Sequence, residues 1–304
     1  VNKRFRRDHP VLSGCLVLGV VAAVLWGGFT LLVASIFRPE RPDLFHRPGI
    51  GVVQLAGVIT SAQETIDQLR AFREDERVKA IVLRVESPGG AVGASQEIFA
   101  EVQRTDAVKP VVASLGSVAA SGGLYAALGA RKIIASPGTI TGSMGVILKF
   151  ANLEELFAKI GYRPEVIKSG RFKDIGNPGR AMTNDERQML SQLIDNVHAQ
   201  FIADASKSRS LPLAKVKEWA DGRIFSGEQA LSLGLIDALG NFTDAVNLAA
   251  QLAGLATGGD KLPPLIYPEE DGFSLLKLLA GKQADGLLPR GLAMPHLAYQ
   301  WDPS

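Results

Sequence analysis

The rhythm of apolar and polar positions changes in stages along the chain. From Val11 to Phe37 no residue is charged, and a helix of that length rises about 40 Å, more than the roughly 30 Å of a bilayer's hydrocarbon core. Beyond it, short apolar runs alternate with helical periodicity. "GVVQLAGVIT" predicts a strand, and Ser61 with Glu64 in "SAQETIDQLRAF" predicts a capping box opening a helix. "VKAIVLRVES" reads as a buried strand, "ASQEIFAEVQRT" as a helix, "PVVASL" as a strand and "SGGLYAALGA" as a helix. Strands at "KIIAS" and "GSMGVIL", a helix at "NLEELFAKIG" and a strand at "PEVIKSG" continue the alternation. Past Met182 the pattern is mainly helical, as an outer or subunit-contact layer. The expectation is an α/β fold with a largely parallel sheet under helices.

These changes set the boundaries. Residues 1–10 form an N-terminal segment, 11–37 an uncleaved membrane anchor, 38–49 a Pro-rich linker, 50–257 the α/β domain, and 258–304 a Gly- and Pro-rich tail. The tail reads as a disordered end or a strap onto a neighbouring subunit, and no chemistry is assigned to it. The apolar run is too long for a signal peptide. "NKRFRRDH" before it is denser in cations than "RPERPDLFHRPG" after it, which favours a cytoplasmic N-terminus and an extracytoplasmic domain on a plasma (inner) membrane. "LSGC" matches a lipoprotein box in letters, but its hydrophobic stretch follows rather than precedes it.

Composition narrows the chemistry. With 304 residues, 46% hydrophobic, the chain can bury a full core, and a net charge of +2 gives no electrostatic footprint for nucleic acid. Cys15 is the only cysteine, so the α/β domain has neither a disulfide nor a thiol nucleophile. Of four histidines, His9, His46 and His296 fall outside the domain and His198 lies within a long helix as a structural residue. A Ser-His-Asp triad and a zinc site are therefore both poorly supplied, and no metal or cofactor is expected. Glu154 and Glu155 read as a solvated helix face, and no phosphate-binding glycine motif follows a strand.

What remains is a serine served by a lysine. Ser121 in "VAASGGLYAA" sits where a strand gives way to a helix. An amine works as a general base only when neutral, which takes burial or cationic neighbours. Ser121 lacks the S-x-x-K spacing, and "SLLK" at Ser274–Lys277 lies in the tail without its companion motifs. Lys132, Lys149, Lys159, Lys168 and Lys173 are the candidates, and spacing does not choose between Lys168 and Lys173 in "IKSGRFKDIG". The glycine pair Gly89–Gly90 after a strand, and Gly122 at the start of a helix, could supply N–H donors to an oxyanion.

The ordered motifs "SPGG", "GSVAASGG", "TGSMGVI", "IKSGRFKDIG" and "ADGRIFSGEQALSLGLID", spread from Ile50 to Asn241, resemble the signal peptide peptidase A family of membrane-anchored serine proteases. The resemblance implies a ClpP/crotonase-like fold of repeated ββα units with a helical outer layer. It also implies Ser121 as nucleophile, Lys173 as general base, Ser143 as the hydroxyl orienting the lysine, and Gly90 and Gly122 as oxyanion donors. Signal peptides and other apolar peptides are the implied substrates. The single α/β unit resembles the family's short form, whose subunits assemble into rings and can share catalytic groups. Leu124 and Glu86 depart from the common pattern, where an aromatic and a neutral residue are usual. A non-catalytic scaffold, a crotonase-type acyl-CoA enzyme and a broader quality-control protease are the alternatives.

Overall fold

A computed structural model describes residues 18–30, 48–255, 262–268 and, for the backbone alone, 298–300. The chain divides at Arg47 into two units. In the first, residues 18–30 are helical (α1). Among the described residues no helix is long and apolar enough to cross a membrane; the flanking parts of the expected anchor, 11–17 and 31–37, lie outside them.

The second unit is built on a sheet whose central order is β7-β6-β4-β2-β1-β9. Its strands are β1 (Gly49–Ala56), β2 (Val78–Ser87), β3 (Gly89–Ala91), β4 (Val111–Ala120), β5 (Lys132–Ala135), β6 (Ile140–Gly142), β7 (Ile224–Ser226), β8 (Ala238–Leu239), β9 (Leu265–Ile266) and β10 (Ala298–Gln300). All but β3 and β10 belong to this sheet, which is parallel apart from the β6–β7 pair. The repetition of ββα units is loose. β2 and β3 lead into α3 (Val92–Asp106), whereas β1 is followed directly by α2 (Gln63–Glu74) and β4 by α4 (Gly122–Ala127).

A strand in a sheet sends alternate side chains to opposite faces, so a strand covered on both sides is apolar throughout. Along β2, Ile81, Leu83 and Val85 enter the larger core, while Ala80 and Val82 enter the second. The larger core takes Leu69 and Phe72 from α2, Ile98, Phe99 and Val102 from α3, and Leu124 and Tyr125 from α4. The second is covered by Ala245, Val246, Ala249 and Ala250 of α9 (Phe242–Leu252). Helix α6 (Asn184–Arg209) joins the larger core through Phe201, whose ring meets that of Tyr125 edge-on at 4.6 Å between centroids. Short helices α5 (Glu154–Lys159), α7 (Leu213–Trp219) and α8 (Gly227–Leu233) complete the chain.

Several expectations are corrected. The box at Ser61 and Glu64 does not form: Ala62 is the N-cap of α2, and Ser61 Oγ accepts only the Gln63 N–H. Ala62 is drawn into the core, so the helix begins one residue too late for that box. Reciprocal boxes do form at Thr183/Glu186, Ser226/Gln229 and Asn241/Asp244. The strand expected over "GSMGVIL" stops at Gly142, because Gly142 (φ 82°) and Ser143 (φ 51°) are both left-handed and cannot continue a ladder. "PEVIKSG" is not a strand either: Val166 and Ile167 are exposed, and among the described residues no strand lies beside them to pair. The tail contributes structure to its own chain, β9 against β1 and β10 against β3.

Phe201 is fully buried behind Tyr125. Phe201→Ala should cost about 3–5 kcal/mol of stability, read as a lower urea midpoint with unchanged m.

Candidate active site

The strand β4 is bent before it reaches the site. Val85 pairs with Leu115, but Ser87 pairs with Ala119, so β4 carries two extra residues over that step. The Glu86 carboxylate fills the gap, accepting hydrogen bonds from the N–H groups of Ser117 (2.8 Å) and Val118 (3.2 Å). Gly116 makes room, since a Cβ there would lie 1.7 Å from Glu86 Oε2. β-Bulges are common beside functional sites, and this one lies in the part of β4 that leads directly to Ser121.

Ser121 closes the strand and caps α4 with φ 53° and ψ −116°. Such a conformation in a non-glycine residue costs of order 1–3 kcal/mol and needs support. Its N–H donates to Gly142 O (2.8 Å) and its carbonyl accepts from Tyr125 N–H (2.8 Å). Gly123 lets the helix start close to β2, as a Cβ there would stand 2.7 Å from Ser87 O. Leu124, where the resemblance leads one to expect an aromatic, is fully buried in the core. Tyr125 fixes the helix from below: its ring is wedged between Phe99 and Phe201, and its hydroxyl donates to the Asp204 carboxylate. Ser121 is 1% exposed, and among the described residues its hydroxyl has no hydrogen-bond partner.

Three of the other expected residues gather here. Gly142, which holds the Ser121 N–H, is followed by Ser143, itself buried and fixed by donating its N–H to Arg223 O (2.7 Å). His198 Nε2 holds the next carbonyl, Met144 O, at 3.1 Å, the structural role expected of it. Gly122 is the first residue of α4, so its N–H has no acceptor within the helix. Gly90 lies in β3, which packs against α4. A Cβ at Gly90 would fall 2.1 Å from Ile59 O, so no other residue fits without displacing the strand.

Lys173 is not brought to this cluster within one chain. It is exposed, in a run of turns where its N–H donates to Gly170 O. The turns are pinned beside it: the Asp174 carboxylate accepts from Lys168 and Arg180, and Arg180 also pairs with Glu186, at the start of α6. Lys168 is thereby committed to Asp174, a distinction spacing could not make. The Arg180 guanidinium and the Thr183 N–H lower the Glu186 pKa to about 2, and Arg180 with Lys168 holds Asp174 below the ordinary carboxylate range.

The contributions of Glu86, Gly116, Tyr125 and Asp204 escaped sequence reasoning. Glu86 alone left a trace, as a charge beside "SPGG". Among the described residues no group of three or more His, Cys, Asp or Glu could hold a metal ion.

A parallel sheet with a serine at a strained strand-to-helix turn, beside a glycine strand, defines a Clp-type peptidase fold, and residues 52–140 match the Clp protease model. Residues 103–256 match peptidase family S49, and the chain belongs to that family, that of the SppA peptidases. It is 43% identical over 237 residues to "Putative protease slr0021" of Synechocystis, covering 77% of this chain and 84% of that one. It is 34% identical over 248 residues to the chloroplastic serine protease SPPA of Arabidopsis thaliana and 38% identical over 216 residues to Protease 4 of Salmonella typhi. These matches cover 81% and 68% of this chain and 35% of each relative, so the chain spans about a third of their length.

Gly90→Ala should abolish peptidase activity while the far-ultraviolet circular dichroism stays that of the wild type, because the added methyl pushes β3 away from Ile59. Acid should loosen the Lys173 turns first. A carboxylate whose folded pKa is depressed contributes fully above its ordinary value and loses that contribution as pH falls. Protection of residues 168–182 in hydrogen exchange should therefore decline from about pH 4.5 towards pH 2, ahead of β2 and β4. Arg180→Gln should produce the same loosening at neutral pH.

Proposed function

We propose that the protein is a membrane-anchored serine endopeptidase that cuts signal peptides and other apolar peptides at the extracytoplasmic face, with Ser121 as nucleophile and Lys173 as general base. The observation that carries this reading is the Ser121 hydroxyl: buried, without a partner among the described residues, on a strained turn, in a family of peptidases. A buried hydroxyl left unpaired costs stability and is kept where another group completes it.

Lys173, exposed in the single chain, needs seclusion from water to act as a base. The reading supplies it by assembly. Ile147, Leu156, Ile160, Tyr162, Val166 and Ile167 expose apolar surface along the segment that leads to Lys173. A second copy covering that surface would bury the segment and carry the amine to a neighbour's Ser121, with Ser143 orienting it. The Clp-type fold favours such an oligomer, and a ring of subunits is the form proposed.

In the reaction, Ser121 Oγ attacks the peptide carbonyl carbon while its proton passes to the neutral Lys173 amine. Gly90 and Gly122 N–H groups receive the oxyanion, each worth about 3–4 kcal/mol in the transition state. The C–N bond then breaks as the lysine ammonium protonates the departing amine. Water, losing a proton to the same lysine, hydrolyses the acyl-enzyme and restores the serine. The uncharged run from Val11 to Phe37 provides the anchor of this proposal.

Ser121→Ala and Lys173→Ala should each abolish peptide hydrolysis without altering assembly, and mixing the two inactive proteins should restore part of the activity. Full activity in either single variant removes that residue from the mechanism; mixtures that stay inactive after verified subunit exchange place the pair within one chain.

A further inference from the structure

β4 stands at a fork in the sheet. Its residues Val112–Leu115 pair with β5 and Val118–Ala120 with β6, while on its other edge β2 is paired as far as Leu115 and again at Ala119. Gly116 and Ser117 thus have a ladder partner on neither edge. Side chains stand in for the missing strands. From β2 the Glu86 carboxylate accepts the Ser117 and Val118 N–H groups. From the β6 side the Thr139 hydroxyl donates to Gly116 O at 2.8 Å, and Thr141 Oγ1 donates to Ala119 O at 2.7 Å. Both threonines are buried, so no solvent replaces a hydroxyl removed there. Ser121 follows Val118 by three residues, and its own N–H continues the pairing with β6 at Gly142 O.

Glu86 differs from the threonines in being part-exposed. Its carboxylate has Arg84 Nη2 at 3.5 Å, and Arg84 is held in turn by Ser114 Oγ (3.0 Å) and by the ring of Phe242. Water can serve the Ser117 and Val118 amides in its place, so the carboxylate adds little to stability. Water does not supply a fixed acceptor, and an irregular strand needs one if its end is to have a single position.

We propose that Glu86 and Thr139 are positioning residues for the peptidase reaction: from opposite edges they fix the extra residues of β4, and through them the places of Ser121 Oγ and the Gly122 N–H. The inference rests on the peptidase reading and adds to it what keeps the serine in register with its surroundings. A misplacement of about 1 Å caused by a change away from the chemistry can cost a hundredfold in rate. The loss falls on kcat, because an interaction that only places reacting groups is felt in the transition state.

The test compares truncating with conservative variants in the full-length protein: Glu86→Ala with Glu86→Gln, which keeps an acceptor oxygen, and Thr139→Val with Thr139→Ser, which keeps the hydroxyl. For each, kcat and KM are measured on a quenched fluorogenic peptide of leucine and alanine, at a temperature where circular dichroism shows it folded. Hydrogen exchange of the Ser121 N–H is followed alongside. The inference expects Glu86→Ala and Thr139→Val to lower kcat ten- to a hundredfold with KM within twofold, and to speed exchange at Ser121. The Gln and Ser variants should stay within threefold of the wild type, as should Ile50→Val, which loosens the second core away from the fork. Wild-type kcat in either truncating variant, a fall shared by the conservative ones, or a rise in KM alone overturns it. Where Thr139→Val does not fold, the Glu86 pair decides. If the wild type hydrolyses no peptide, the peptidase reading fails and exchange decides the positioning claim: acceleration in Glu86→Ala that Glu86→Gln reverses upholds it, and unchanged exchange overturns it.

Discussion

The structure depends on one strained residue. Ser121 is where β4 must stop and α4 must start within a single step, and its backbone is held at φ 53° by the Gly142 carbonyl on one side and the first turn of the helix on the other. The energy to hold it comes from packing. Tyr125 is clamped by Phe99, Phe201 and Asp204, Gly123 lies against the Ser87 carbonyl, and the whole of α4 is buried. Interiors packed as densely as crystals resist small shifts, so the hydroxyl keeps its place although none of the described residues bonds to it.

Around this point the molecule shows a division of labour between rigid and adaptable parts. Ser121, Ser143 and the glycines are set by sheet and core, while Lys173 is carried on turns stiffened by an ion network of Asp174, Arg180 and Glu186. If the base is completed only by a neighbour, as proposed, a lone subunit has the nucleophile and lacks the means to activate it, which confines peptide cleavage to the assembled form.

Much of this was legible in the sequence for a physical reason. β2 and β4 carry unbroken buried apolar runs, Ala80–Leu83 and Val111–Ala113, and the chain past Met182 has the helical pattern of α6. The serine and glycines could be found because tight turns and close approaches leave small residues behind. The failures have equally local causes. Ser61 and Glu64 have the letters of a cap, but tertiary packing moved the helix start by one residue. "PEVIKSG" has the composition of a strand and, among the described residues, no neighbour to pair with. Gly116 and Glu86 are thirty residues apart and become intelligible only when β2 and β4 lie side by side.

That last pair has a consequence for how the sequence can vary. The carboxylate replaces missing ladder bonds, and the empty space at Gly116 exists to admit it. A side chain at 116 evicts Glu86 and leaves the Ser117 and Val118 amides to water, and shortening residue 86 alone takes away their acceptor at a part-exposed position. Residues 86 and 116 are thus bound to drift as partners: a small residue at 86 becomes tolerable once 116 grows to fill its place, and the two substitutions should prove strongly non-additive.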